Sequence, residues 1–127
     1  MQQLKTSIKG HKLGKKSEEI ACDFLRKRNF QILNQNWHSG KYGEIDIIAK
    51  DKSTNDLVFI EVKSRATSIN EAKELVTRKK QEQLYKLAKS YLHLNKRENQ
   101  SCRFDVIAIK INESGKELEH IKNAFYL

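Results

Sequence analysis

The stretch from Gly43 to Lys63, GEIDIIAKDKSTNDLVFIEVK, constrains this chain more than any other. It reads as two strands, Glu44–Ala49 and Leu57–Lys63. They are joined by Asp51-Lys52-Ser53-Thr54-Asn55-Asp56, a run of turn formers that suits a hairpin. Two-residue periodicity sets Glu44 and Asp46 on one face of the first strand, with Ile45 and Ile47 on the other. The second strand carries Val58, Ile60 and Val62 on one face. On the opposite face Leu57 and Phe59 give way to Glu61 and Lys63. Pairing the strands brings Asp46 beside Glu61 and Lys63, so two carboxylates and an ammonium gather where apolar residues would ordinarily lie.

Such a cluster needs a physical reason. Neighbouring carboxylates repel, and a charge on a half-buried strand is costly unless it is paired or metal-bound. A divalent cation answers both problems, since Mg²⁺ is held by one or two carboxylates, retained waters and substrate phosphates. Lys63 is then placed to contact a scissile phosphate, or to help position and deprotonate an attacking water. A lone Glu-x-Lys on a strand is ordinarily a solvated ion pair. The Gly-Glu-x-Asp upstream, on an otherwise aliphatic strand, turns the reading toward chemistry.

The charge balance points the same way. The 127 residues carry 25 Lys and Arg against 16 Asp and Glu, a formal charge of +9. The excess is uneven: residues 1–16 hold five lysines and no acid, and residues 73–97 hold eight basic side chains against two acids. Patches of this kind are what a polyanion-binding surface requires. Lys15, Lys16, Lys41, Arg65, Lys80 and Arg103 are the candidate phosphate contacts. Neither basic stretch has the broad apolar face of a membrane-surface helix, and no apolar run is long enough to span a bilayer or act as an export signal. Cys22 and Cys102 lack metal-ligand spacing and read as reduced thiols, so a cytoplasmic location is expected.

Along the chain, residues 1–11 show no clear period and are expected to form a flexible basic arm, with a single domain over 12–127. Leu13, Ser17, Ile20, Ala21, Phe24 and Leu25 mark a first helix, with Asn29 suited to a left-handed cap. Glu18 borders its packed face. An acid there is usually structural, but a helix packed on the hairpin could deliver it to Asp46 and Glu61. Phe30–Trp37 reads as a strand. The following loop, Trp37-His38-Ser39-Gly40-Lys41-Tyr42-Gly43, either offers Trp37, His38, Lys41 and Tyr42 to bases and phosphates or spends Trp37 as a core anchor. Ser68-x-x-Glu71 resembles a capping box. Leu84, Leu87, Ala88, Tyr91 and Leu92 give the buried stripe of a helix over Thr77–Leu94, and Gln81 and Tyr85 stand at a Gln-x-x-x-Tyr spacing found in some nucleases. Arg103–Ile111 is a strand, and Leu118–Phe125 a further strand at the sheet edge. The element order is α-β-β-β-α-β-β.

Gly-Glu-x-Asp followed fifteen residues after the aspartate by Glu-Val-Lys resembles the active-site pattern of the PD-(D/E)XK nucleases, the restriction-endonuclease-like superfamily. Glu18-Glu19-Ile20-Ala21, Gly43–Ala49, Phe59–Arg65, Arg103–Val106 and His120–Phe125 together resemble the YraN-type family, over about residues 12–127. That resemblance implies an α/β, restriction-endonuclease-like fold with a mixed central β-sheet flanked by helices, similar to archaeal Holliday-junction resolvases. It implies Asp46 and Glu61 as metal carboxylates, with the Val62 backbone carbonyl adding a ligand. Lys63 would be the catalytic lysine, Glu18 a helix-borne acid assisting the metal, and Glu44 a supporting group behind the ligands. The superfamily's proline before the first aspartate is absent, its place taken by Ile45.

The expected function is therefore Mg²⁺- or Mn²⁺-dependent hydrolysis of DNA, structure-selective, with branched or flapped DNA preferred by the resolvase resemblance. A homodimer would suit a junction. The alternatives are a non-catalytic nucleic-acid-binding module on a nuclease fold, and a scaffold whose basic surface meets an acidic partner.

Overall fold

The computed structural model describes residues 2–64 and 68–126. Helix α1 (Gln2–Lys27) leads into strands β1 (Phe30–His38), β2 (Glu44–Asp51) and β3 (Asp56–Ser64). Helices α2 (Ile69–Leu75) and α3 (Arg78–Leu94) follow, then β4 (Cys102–Asn112) and β5 (Gly115–Phe125). The strands form one five-stranded sheet in the order β1-β2-β3-β4-β5. All neighbours are antiparallel except β3 and β4. A parallel pair cannot be joined by a tight turn, and α2 and α3 supply the crossover. This is the mixed sheet flanked by helices, in the expected order, with β5 at the edge as read.

Two apolar layers sandwich the sheet. On one face Ala21, Cys22 and Leu25 of α1 pack with Phe30, Ile47, Ala49, Val58, Ile60, Ile107 and Ile109. On the other, Ala72 and Val76 join Leu84, Leu87, Ala88 and Tyr91 of α3 over Ile45, Ile48, Leu57, Phe59, Phe104, Val106 and Ala108. Strand β3 is covered on both faces, which is why Leu57–Ile60 is an unbroken apolar run.

Local chemistry sets the element ends. Asn29 takes φ 69° after α1, the left-handed stop that asparagine tolerates. The Ser68 hydroxyl accepts the Glu71 N–H at 3.1 Å, and the Thr77 hydroxyl accepts that of Lys80 at 3.2 Å, each satisfying an amide at a helix start. Helix α1 runs back to Gln2 through the segment expected to be a flexible arm. Lysine and glutamine are good helix formers, so a helix can outrun the apolar stripe from which it is recognised. Among the described residues no helix is long and apolar enough to cross a membrane.

Candidate metal centre

The site grows from an irregularity at Asp46. The β2–β3 ladder has its last pair at Ile47 and Ile60, so one further step would set Asp46 against Glu61. On the other flank the β1–β2 register joins Gln35 to Ile47 and Trp37 to Ile45, passing over Asn36 and Asp46. Asn36 stands there with φ 51°, a left-handed residue inside a strand. Asp46 thus falls in a gap of both ladders. Its alternation fails as well: Ile45 packs with Ile48 on the α3 side and Ile47 with Ala49 on the α1 side. That corrects the grouping of Ile45 with Ile47, and the break coincides with the end of pairing to β3.

Freed from the ladder, the Asp46 carboxylate does what a backbone carbonyl would have done. Its Oδ2 accepts the N–H of Val62 at 2.8 Å. Helix α1 lies over this end of the sheet, and Glu18, Glu44 and Asp46 offer oxygens all within 4.8 Å of one another, a group that could hold a metal ion. Glu44, expected to stand behind the ligands, is a full member of this group. Glu61 is outside the trio yet acts on Asp46 more strongly than Glu18 or Glu44 does. Burial, then the Glu61 carboxylate, pushes Asp46 up to about 7, against the lowering effect of the Val62 amide. Glu18 is also raised, by burial first, with Glu44 and Glu61 adding to it while a hydrogen bond from Asn36 opposes.

Glu61 itself is buried, and its Oε1 pairs with Lys63 Nζ at 3.2 Å. Among the described residues its buried Oε2 has no hydrogen-bond partner. An unsatisfied buried carboxylate oxygen is costly, and so is a crowd of four carboxylates with one adjacent ammonium among the described residues. Both observations fit a hard, oxygen-seeking cation, whose charge would repay them together. Val62 meets Asp46 through its N–H.

The expected phosphate contacts divide. Lys15, Lys16 and Lys41 are exposed and Lys80 is half-buried. Arg65 lies outside the described residues. Arg103 is a correction: its side chain is 7 % exposed and its nitrogens are spent inside the protein. Nη2 reaches Asp51 Oδ2 at 2.9 Å, Nη1 reaches Asp56 Oδ2 at 3.2 Å, and Nε reaches Asp105 Oδ1 at 3.1 Å. Asp105 also meets His120 Nε2 at 2.8 Å and accepts the Asn123 N–H at 3.0 Å. Arg103 therefore ties β4 to the β2–β3 hairpin and has no fork left for a phosphate. Gln81 is likewise engaged elsewhere, donating to the Val76 carbonyl at 3.0 Å. Trp37 takes the anchor role, half-buried and edge-on to Tyr91 at 5.3 Å between centroids.

A model described as "Uncharacterised protein family UPF0102" matches residues 17–109, most of the chain. The chain belongs to the UPF0102 family. This is the YraN-like group whose motifs the sequence carries, and the matched span holds Glu18, Glu44, Asp46, Glu61 and Lys63. A UPF0102 protein of Francisella tularensis subsp. novicida (strain U112) is 48% identical over 115 residues, covering 89% of this chain and 93% of the relative. UPF0102 proteins of Thermodesulfovibrio yellowstonii and Pelobacter propionicus are 45% and 41% identical, over 90% of this chain and 96% and 82% of theirs. The structure of Pyrococcus furiosus SfsA in complex with Ca²⁺ overlays 96% of this chain on 65% of its own, at 12% identity and a TM-score of 0.31. So loose a likeness carries no argument about chemistry.

Proposed function

We propose that this UPF0102 protein is a metal-dependent phosphodiesterase that hydrolyses DNA, selecting structure rather than base sequence. The observation that supports the reading best is the gathering of Glu18, Glu44 and Asp46 at the point where β2 leaves β3, beside the Glu61–Lys63 pair. Asp46, Glu61, Glu18 and Glu44, with the Val62 carbonyl, would hold Mg²⁺ or Mn²⁺, which when bound polarises a phosphate oxygen and makes water acidic enough to attack.

The remaining work belongs to the chain. Glu61 holds Lys63 Nζ by an ion pair, and the ammonium keeps a quarter of its side-chain surface open to solvent. From there it can meet a phosphoryl oxygen and offset the negative charge that develops on it. Asp46 must lose its proton before it can serve as a ligand, and its elevated pKa makes that loss part of assembling the site. Asn36 favours the charged form of Glu18. Lys15, Lys16, Lys41, Lys80 and Arg65 would hold the backbone, contacts that position a strand without reading its sequence.

The test is incubation with duplex, single-stranded, flapped and four-way-junction DNA in Mg²⁺, Mn²⁺ or EDTA, with Asp46→Asn alongside. Metal-dependent cutting by the parent and none by the variant is the expected result. Salt-sensitive binding with no cutting of any substrate would replace this reading with a binding module, and no binding would leave a scaffold.

A further inference from the structure

The loop that delivers β2 builds a second feature. The Gln83 side-chain amide on α3 donates to the Tyr42 carbonyl, fastening the loop to the helix. Gly43 makes that contact feasible: its φ of 99° suits glycine, and a Cβ there would collide with the Gln83 amide. The fastened loop and α3 enclose a cavity of about 320 Å³ lined by Tyr42, Lys86, Leu87 and Ser90. Tyr42 is 63% exposed, although nothing about a loop tip demands an aromatic there. Next to Lys86 on α3 an exposed Tyr85 lies beneath Lys89, whose Nζ is 5.4 Å from the ring centroid.

An aromatic wall, an aliphatic floor and flanking ammonium groups form the arrangement on which bases of an unpaired strand stack while their phosphates meet lysine. A duplex offers no free base face to such a cavity. The loop continues directly into Glu44 and Asp46, so the segment that holds the base also carries two of the carboxylates, which gather with Glu18 on the α1 side of the sheet. We propose that the groove between Tyr42 and α3 binds an unpaired base of a DNA strand. The proposal deepens the phosphodiesterase reading by naming the substrate as DNA with an unpaired stretch, and it rests on that reading.

Binding can be tested apart from cleavage. Fluorescence anisotropy in EDTA compares labelled oligodeoxythymidylate with a duplex of equal length, for the full chain and for Tyr42→Ala, Tyr42→Phe and Lys86→Ala. Tyr42→Ala should weaken single-strand binding roughly five- to hundredfold, leave duplex binding within about twofold, and melt like the parent. Tyr42→Phe should retain binding. Lys86→Ala should weaken binding and reduce the salt slope by about one. Equal loss on both DNAs with Tyr42→Ala, or no loss on either, would overturn the groove. Absence of single-strand binding by the parent would overturn it too, whereas metal-dependent cutting of duplex DNA in the same preparation would leave the hydrolase reading intact.

Discussion

Asp46 Oδ2 accepts the backbone N–H of Val62 at 2.8 Å, so a side chain closes β2 onto β3 one step beyond their last paired residues. The carboxylate proposed as a ligand is thus also a structural acceptor, and its two roles respond differently to substitution and to pH.

Asp46→Asn keeps an oxygen for the Val62 amide, while Asp46→Ala leaves that amide unpaired and should cost about 1–2 kcal/mol. In EDTA the pH trend should separate parent from Asp46→Asn. With Asp46 raised to about 7, the folded state holds a proton that the unfolded state releases near pH 4. Its contribution to stability is therefore fully present below about pH 4 and lost as pH rises to about 7. Melts across this range should show the parent falling toward neutrality more steeply than Asp46→Asn, which keeps only the weaker, same-signed effect of Glu18. Parallel curves would show that Asp46 is not held protonated by its surroundings.

Lys63 is the ammonium paired with Glu61, whose second oxygen has no partner among the described residues. Lys63→Ala should therefore destabilise the fold as well as stop cleavage. Because Lys63 is partly exposed, the cost should be about 1–3 kcal/mol, below that of breaking a fully buried pair. Adding Glu61→Gln removes the stranded charge and should restore most of that stability without restoring cleavage. Denaturant titration of the parent, both single variants and the double variant reads the coupling directly. If the double variant were no more stable than Lys63→Ala, the ion pair would not be what Lys63 contributes.

Gly43 and Gln83 supply a third comparison. Gly43→Ala carries two costs, a left-handed backbone and a collision with the Gln83 amide, together about 1–3 kcal/mol. Gln83→Ala alone loses one hydrogen bond, about 1 kcal/mol. In the double variant the collision disappears and the backbone strain stays, so the two changes should sum to less than their separate costs. Strict additivity in thermal melts would mean that loop and helix do not touch at this point.

What could be read without the structure follows from which interactions are local. Asp46, Glu61 and Lys63 were legible because acids and a lysine interrupt aliphatic strands, and strand period fixes their neighbours. Glu18 was legible as the edge of a helical stripe, and Asn29 as a residue type suited to ending a helix. The role of Asn36 was not legible, since it depends on a left-handed turn inside β1 that composition does not signal. The same irregularity moved Ile45 and Ile47 to opposite faces. The extension of α1 to Gln2 was missed because helicity without an apolar stripe leaves no period. Arg103 was misread because charge was counted without burial. The available signal was an arginine on a strand covered on both faces, with Asp105 two residues on and acids at both ends of the Asp51–Asp56 turn.

The burial of Arg103 has a measurable consequence. Arg103 is enclosed with Asp51, Asp56 and Asp105, so removing it strands three carboxylates, two of them buried. Arg103→Met should cost about 3–5 kcal/mol. Arg103→Lys should also destabilise, because a single ammonium cannot span three partners that the guanidinium fork reaches at once. Burial would raise Asp51, but Arg103 and the Ser53 amide outweigh it and hold the carboxyl below its usual range. Asp56 is lowered by the Ser101 hydroxyl first and by Thr54 and Arg103 after it. Lowered carboxyls stabilise the fold above the ordinary carboxylate range and lose that contribution as pH falls through their folded values. The deficit of Arg103→Met should therefore be largest near neutrality and shrink below about pH 4. Where the variant is still folded, its DNA affinity should show the parent's salt slope, since no phosphate contact has been removed. A variant that melted like the parent and bound DNA with a shallower slope would return Arg103 to the surface and undo the buried network.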